Sequence, residues 1–319
     1  MKRAVLLLFI ITLVSIATAC IDANKKNKIK RVGLLTEDTI DDQGWNSKGY
    51  EGLLQIQASL GVDVFLKEEV DSFIDISEAI EEFEKEGVNL IFGHGRLFAE
   101  AFNELNDQYP HIHFVSFNGE VEGENVTSLH FNGYAMGFFA GMFAAEMTET
   151  NEIGVIGAES WQPEISGFTD GAKFINPQVE TSVELVGDWS NSEIALEYFY
   201  QMKEKGVDVF YPCGDGFNVP VIEEVKKYDL FSIGFINDFS DIGGISVLTS
   251  TVQHVEKLYE IVAQKFNEGT LESGNLYYDF EDGVISLGPF SSVVSDELKK
   301  KMDEIIQHYI ENGKLPNEL

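Results

Sequence analysis

The 319-residue chain carries 54 acidic against 22 basic side chains, a formal net charge of −32, with 44% hydrophobic residues and a mean hydropathy of −0.06. That length accommodates two domains of ordinary size, and the hydropathy argues against a polytopic membrane protein. So acidic a surface repels phosphate backbones and argues against direct nucleic-acid binding.

Lys2-Arg3 followed by the apolar run Ala4 to Ile16 is too short for a good membrane span and reads as a secretory signal. It ends in Ile16-Ala17-Thr18-Ala19-Cys20, a lipobox-like sequence in which Cys20 would be acylated and become the first mature residue. Signal-peptidase cleavage after Ala19, with an incidental cysteine, is the alternative. Residues 1–19 are thus expected to be a signal peptide and 20–30 a polar tether on the outer face of the cell membrane. Cys213, at the end of an apolar strand, is expected to be a small buried residue, and it leaves no intramolecular disulfide if Cys20 is lipidated.

Val32, Leu34 and Leu35 form the short apolar run of a buried parallel strand. A polar loop follows, and then Ser47 to Leu60 switches to a helical period. Strands at Val62 to Leu66, Asn89 to Phe92, His113 to Phe117 and Val126 to Phe131 alternate with helices around Ile76 to Glu86 and Phe98 to Gln108. This alternation predicts a parallel, doubly wound sheet. Gly133 to Met147 is apolar on most sides but short and interrupted by Glu146, which predicts a buried helix packed against a sheet.

A second unit then repeats the first. Gly154 in Ile153-Gly154-Val155-Ile156 stands 121 residues from Gly33, and Trp161 and Gly167-Phe168-Thr169-Asp170-Gly171 parallel Trp45 and Gly49-Tyr50-Glu51-Gly52. Gly206 before Val207 stands 119 residues from Gly87 before Val88. The two offsets predict tandem α/β lobes. Later strands are expected at Val183 to Val186, Phe210 to Pro212, Phe231 to Ile236, Val247 to Thr251, Tyr277 to Phe280 and Val284 to Leu287, with a final amphipathic helix from Asp296 to Asn312.

The sequence holds no Gly-x-Ser-x-Gly elbow, no His-Glu-x-x-His and no Walker lysine loop. His111 and His113 share a strand face but lack a third ligand, so neither catalysis nor a metal or cofactor is expected. Polar and aromatic residues gather instead at strand ends: Asp41, Asp42, Trp45 and Asn46, then Gly95, Asn118, Asp188 and Trp189, and finally Asp215, Phe217, Asn218 and Asp238. Open α/β sheets bind ligands at such ends. Carboxylates and amides there would take hydroxyl donors, while Trp45 and Phe217 could sandwich a planar ring. Core packing for each aromatic and helix capping for each aspartate are the alternatives.

The loop Asp42-Gln43-Gly44-Trp45-Asn46, with Asn125-Val126-Thr127-Ser128, Gly187-Asp188-Trp189 and Leu248-Thr249-Ser250, resembles the basic membrane protein family, the PnrA-like nucleoside-binding lipoproteins of ABC importers. The resemblance implies a type I periplasmic-binding-protein-like α/β fold of two doubly wound Rossmann-like lobes, with a hinge and an interlobe cleft. Lobe 1 would span 31–128 with part of 247–275, and lobe 2 129–246 with part of 276–319. It implies a small-molecule ligand such as a purine nucleoside, held by Asp42, Trp45, Asn46, Gly95, Asn118, Trp189, Asp215, Phe217, Asn218 and Asp238, and an ABC permease as partner. Three phrases, Ala135-Met136-Gly137-Phe138-Phe139, Trp161-Gln162-Pro163-Glu164 and Gly214-Asp215-Gly216-Phe217-Asn218, are similar to a branch of the family that positively regulates competence. That implies the alternative of a membrane regulatory partner and an indirect effect on transcription. Asn118, Ile236 and Gln253 stand where the nucleoside-binding pattern has two aspartates and a lysine, which removes charge that would hold ribose hydroxyls.

Overall fold

The computed structural model describes residues 28–41 and 44–319. The signal segment, Cys20 and Asp42 lie outside the described residues. Two compact units are formed, the first chiefly by Asn46–Leu129 with Val255–Leu276, the second by His130–His254 with Tyr277–Leu319. Gly44 and Trp45 group with the second unit.

In the first unit the elements run β1 (Arg31–Leu35), α1 (Trp45–Leu60), β2 (Asp63–Lys67), α2 (Phe73–Lys85), β3 (Leu90–Gly93), α3 (Leu97–Leu105), β4 (His113–Phe117) and β5 (Val126–Phe131). After Met147 the same order returns as β6 (Glu152–Gly157), α5 (Pro163–Ile175), β7 (Glu180–Leu185), α6 (Ser192–Glu204), β8 (Val209–Cys213), α7 (Asn218–Lys227) and β9 (Phe231–Ile236). The helix preceding this repeat is α4 (Gly133–Met147). The short α8 (Ser240–Gly243), β10 (Val247–Gln253), α9 (Val255–Glu268), β11 (Gly274–Tyr278), β12 (Ile285–Leu287) and α10 (Asp296–Asn312) complete the chain.

Each unit has a six-stranded sheet, ordered β11-β5-β4-β3-β1-β2 in one and β12-β10-β9-β8-β6-β7 in the other. β1 pairs in parallel with β2 and β3, as β6 does with β7 and β8. β12 runs antiparallel to β10. The repeat detected in the sequence is therefore a repeat of topology. Helix starts also follow it: Ser72 accepts the Asp75 N–H at 3.2 Å before α2, and Asn191 accepts the Ile194 N–H at 3.2 Å before α6. Each side chain satisfies one of the N–H groups a helix start leaves without an internal partner.

The first core joins Ile76, Ile80 and Phe83 of α2 to Phe98 and Phe102 of α3 and Phe114 of β4. The second joins Phe199 and Met202 of α6 to Phe210 of β8 and to Phe217, Val221 and Val225.

Residues 28–30 are fastened to the first unit: the Ile29 N–H donates to Asn267 Oδ1 at 2.8 Å, and Lys28 and Lys30 are held by the Asn89 side chain. Two expectations change. The strand expected from Tyr277 to Phe280 stops at Tyr278, and Phe280–Asp282 is a 3-10 turn capped by Asp279. Helix α4 is buried as expected, but its closest neighbour is a helix. Gly137 and Gly141 of α4 face Gly167 and Gly171 of α5 so closely that a Cβ on Gly141 would lie 1.9 Å from the Phe168 carbonyl oxygen, and one on Gly171 1.9 Å from that of Phe138. Only hydrogen side chains let two helix backbones meet like this, which allows Cα–H···O contacts. No helix among the described residues is long and apolar enough to cross a membrane.

Candidate ligand-binding site

The carboxyl ends of the parallel strands carry most of the residues singled out by the sequence. In the second unit their loops are tied into one rim. Gln162 is buried, and its Oε1 accepts the N–H groups of Ala158 and Glu159 at 2.8 and 2.9 Å while Nε2 donates to the Cys213 carbonyl at 3.1 Å. One amide thus closes the turn after β6 and fastens it to the end of β8. The Trp189 carbonyl accepts the N–H groups of Asp215 and Gly216, both at 3.0 Å, which fastens the loop after β7 to the loop after β8. Loops restrained in this way hold their side chains in place before a ligand arrives, which lowers the ordering cost of binding.

On this rim Trp161 and Trp189 form a tilted aromatic pair with ring centres 5.8 Å apart, and Trp161 is 46% exposed. Asp215 is half-buried, and its two carboxylate oxygens both lie 3.0 Å from the Trp45 N–H. The approach is close enough that a Cβ on Gly44 would lie 2.3 Å from Asp215 Oδ1. Asp188 is exposed; its Oδ1 accepts the N–H and hydroxyl of Ser190 and the N–H of Asn191, which holds its carboxyl below the ordinary range.

Other predicted residues serve the scaffold. The Phe217 ring is wholly buried in the core cluster, and a Cβ on Gly214 would lie 2.2 Å from it. The expectation that it forms one face of an aromatic sandwich is therefore corrected: the apolar ring packs under its own loop, its burial outweighing exposure on the rim. Asn218 is buried at the start of α7, where its Oδ1 accepts the Val219 N–H at 2.9 Å. Asp238 is exposed and accepts the Ser240 N–H at 2.9 Å and its hydroxyl at 3.1 Å, so it is tied to the turn that leads into α8. Cys213 is buried, and burial raises its thiol pKa, which keeps it protonated and unreactive.

In the first unit, Thr36 and Glu37 follow β1. Glu37 is half-buried, and a Cβ on Gly95 would lie 2.5 Å from its Oε1. Burial and then the charge of Asp38 raise the Glu37 pKa. Asn118 follows β4 with φ at +57°, a left-handed conformation that asparagine accepts readily. Asn46 is buried in α1. His111 pairs with Glu84 at 3.0 Å on the surface, while His113 hydrogen bonds Thr127 Oγ1 at 2.8 Å. Desolvation lowers the His113 pKa to about 4.

Two groups escaped the sequence reading. His94 is buried at the end of β3, with Nδ1 2.9 Å from the Tyr259 hydroxyl and its ring edge-on to Phe117. Its position inside Gly93-His94-Gly95 was the available signal, since flanking glycines let the backbone turn around a buried ring. Glu164 is buried in the first turn of α5, and desolvation raises its pKa to about 7. A Cβ on Gly133 would lie 2.4 Å from its Oε1. The sequence gives no local sign of this, because a glutamate after a helix-starting proline is ordinarily solvated.

Two lobes of this topology define a type I periplasmic-binding-protein-like fold. It is shared with an ABC transporter solute-binding protein from Conexibacter woesei, 18% identical, with a TM-score of 0.73 over 91% of this chain and 99% of that one. Residues 29–318 match the family described as ABC transporter substrate-binding protein PnrA-like, and the chain belongs to that family, one of binding proteins rather than enzymes. It is 47% identical over 310 residues to the transcriptional activator protein Med of Bacillus subtilis, covering 97% of this chain and 98% of that protein. It is 24% identical over 313 residues to the ABC transporter nucleoside-binding protein BmpA of Lactococcus lactis, covering 88% of each. A crystal structure of a transcriptional activator of the comK gene from Bacillus halodurans superposes with a TM-score of 0.85 at 56% identity, over 90% of this chain and 99% of that one.

Proposed function

We propose that the protein is a lipid-anchored receptor on the outer face of the cell membrane that binds a small polar ligand at its strand-end loops, a purine nucleoside being the first candidate. The rim fastened by Gln162 and the Trp189 carbonyl supports this reading, because it presents a fixed aromatic pair beside a carboxylate. Trp45, Asn46, Gly95, Asn118, Trp189 and Asp215 are the proposed ligand-facing set, and Asp42 joins it on sequence alone. Phe217, Asn218 and Asp238 act beneath it as scaffold. Membership of a substrate-binding family supports an ABC permease as the partner.

Thermal denaturation of the protein with a panel of nucleosides, bases and sugars tests this. A ligand present at a hundred times its dissociation constant adds about 2.7 kcal/mol of stability by mass action. A shift with one nucleoside that disappears in Trp45→Ala is the expected result. No shift with any compound in the panel would sink the nucleoside reading.

A second reading has its own support in the relatives named transcriptional activators, at 47% and 56% identity against 24% for the nucleoside-binding relative. In it the protein promotes competence from the membrane through a protein partner. With a net charge of −32 it acts without touching DNA. Deleting the gene would then lower competence-gene expression while the purified protein fails to shift promoter DNA even at low salt. Salt-sensitive DNA binding would overturn this reading.

A further inference from the structure

The chain contains three Asn-Gly steps, Asn118-Gly119, Asn132-Gly133 and Asn312-Gly313. Such a step is open to self-modification, because glycine has no side chain to keep its backbone nitrogen away from the amide carbon of the residue before it. The three are held very differently.

Two are locked by hydrogen bonds. Asn132 starts α4, where its Oδ1 accepts the Ala135 N–H at 3.2 Å and its Nδ2 donates to Asp279 Oδ2 at 2.6 Å and to the Tyr309 hydroxyl at 3.0 Å. Asn312 ends α10. Its Nδ2 donates to the His308 carbonyl at 2.6 Å, its Oδ1 accepts the Lys314 N–H at 2.9 Å, and the Gly313 N–H donates to the Tyr309 carbonyl at 2.7 Å. Each amide must give up its partners before its carbon can be attacked, and Gly313 must release its own bond as well.

Asn118-Gly119 lies in the bend after β4, where only the Asn118 backbone is held, its N–H donating to the Leu129 carbonyl at 3.0 Å. Among the described residues nothing hydrogen bonds the Asn118 side-chain amide or the Gly119 N–H. The asparagine is half-buried rather than enclosed. Gly119 is also fixed in identity by its surroundings, since a Cβ there would lie 2.4 Å from that of Ala99. Packing against α3 therefore retains the residue that the reaction needs.

We infer that Asn118 is a site of spontaneous deamidation. The Gly119 nitrogen attacks the Asn118 side-chain carbonyl carbon, and a five-membered imide closes as that N–C bond forms. The amide C–N bond breaks, and ammonia leaves with the proton from the Gly119 nitrogen. Water then opens the ring at either carbonyl, giving aspartate or its isomer in which the backbone runs through the side chain. Aspartate accepts the left-handed φ of +57° as asparagine does, so the direct product fits the loop. An amide that both donates and accepts becomes a charged acceptor. At the strand-end site this would strengthen the hold on ligand hydroxyls, a consequence that rests on the function proposed above.

Peptide mapping by mass spectrometry tests the inference on the full chain, aged in mildly alkaline buffer both folded and in urea. In urea the three steps should convert at similar rates. In the folded protein Asn118 should convert about tenfold faster than Asn132 or Asn312, whose hydrogen bonds must first break. Equal conversion at all three steps in the folded chain would overturn the inference, as would an Asn118 that stays intact while the unfolded chain converts. Asn118→Asp, made directly, should show a larger nucleoside-induced thermal shift than the unaltered chain. An equal shift would refute the consequence for binding. No shift in either protein would refute the function proposed above and leave the deamidation result standing.

Discussion

The two units share one topology, yet their matching glycines do different work. In the first, Gly49 and Gly52 on α1 make room for aromatic side chains: a Cβ on Gly49 would lie 2.6 Å from the His94 ring and one on Gly52 2.5 Å from that of Tyr259. In the second, Gly167 and Gly171 on the equivalent helix make room for the backbone of α4. Side chains can rotate or shift by tenths of an ångström, whereas a hydrogen-bonded helix backbone moves only as a whole. The same motif therefore carries a rigid constraint in one unit and a softer one in the other.

The sharpest way to break this comparison is Gly141→Ala against Gly49→Ala. The first drives a methyl into a carbonyl and should cost about 3 kcal/mol or more, while the second should cost less, within the ordinary range for overpacking. Denaturant unfolding reads both. Equal costs would show that the α4–α5 contact yields as easily as a ring.

A second difference is chemical. The first unit encloses a base, His113, and the second an acid, Glu164. The His113 pKa falls from 6.5 to about 4 on folding, so the stability that depends on its neutral form is present above pH 6.5 and is lost as pH falls through 4. The Glu164 pKa rises from 4.5 to about 7, so its contribution is complete below pH 4.5 and is lost as pH rises through 7. Each shift corresponds to roughly 3 kcal/mol at its extreme. The two slopes cancel between pH 4.5 and 6.5, so together these groups give a plateau there, with stability falling below pH 4.5 and above pH 6.5. Glu164→Gln should turn the plateau into a rise between pH 4.5 and 6.5, abolish the fall above pH 6.5 and add up to about 3 kcal/mol at pH 8. Unfolding midpoints measured from pH 4 to pH 8 check this, and an unchanged slope in the variant would refute it.

A smaller contrast lies at the ends of β4 and β9. Asn118 and Ile236 occupy equivalent places with φ at +57° and +67°. Asparagine tolerates that region, but a β-branched residue pays about 1–2 kcal/mol to enter it. Asn118→Ile should therefore destabilise the protein by about that amount, whereas in Ile236→Asn the backbone relief is offset by the loss of a buried side chain worth about 1.5–3 kcal/mol. Thermal unfolding should show a loss for Asn118→Ile and no net gain for Ile236→Asn. The smallest effects belong to the shared caps: Ser72→Ala and Asn191→Ala should each cost about 1 kcal/mol. A much larger loss in one would mean that its helix start does more than satisfy one N–H.

Strand-end position was readable because a parallel strand needs a short apolar run and the helix after it a longer period. Hence the pattern alone places Trp189 and Asp215 on loops. It does not place their partners, since the Trp189 carbonyl bonds and the Gln162 latch join segments far apart in sequence. Phe217 was placed on the correct loop but its ring faces inward, and one residue's rotation about a loop has no signature in composition.

By itself the sequence determined the alternation of elements and the duplicated topology, because each depends on the pattern of neighbours along the chain. Tertiary structure alone decided that α4 meets α5 backbone to backbone and that Glu164 is desolvated. Burial and hydrogen-bond satisfaction are set by what other segments bring to a place, so they become definite only when the chain has closed around it.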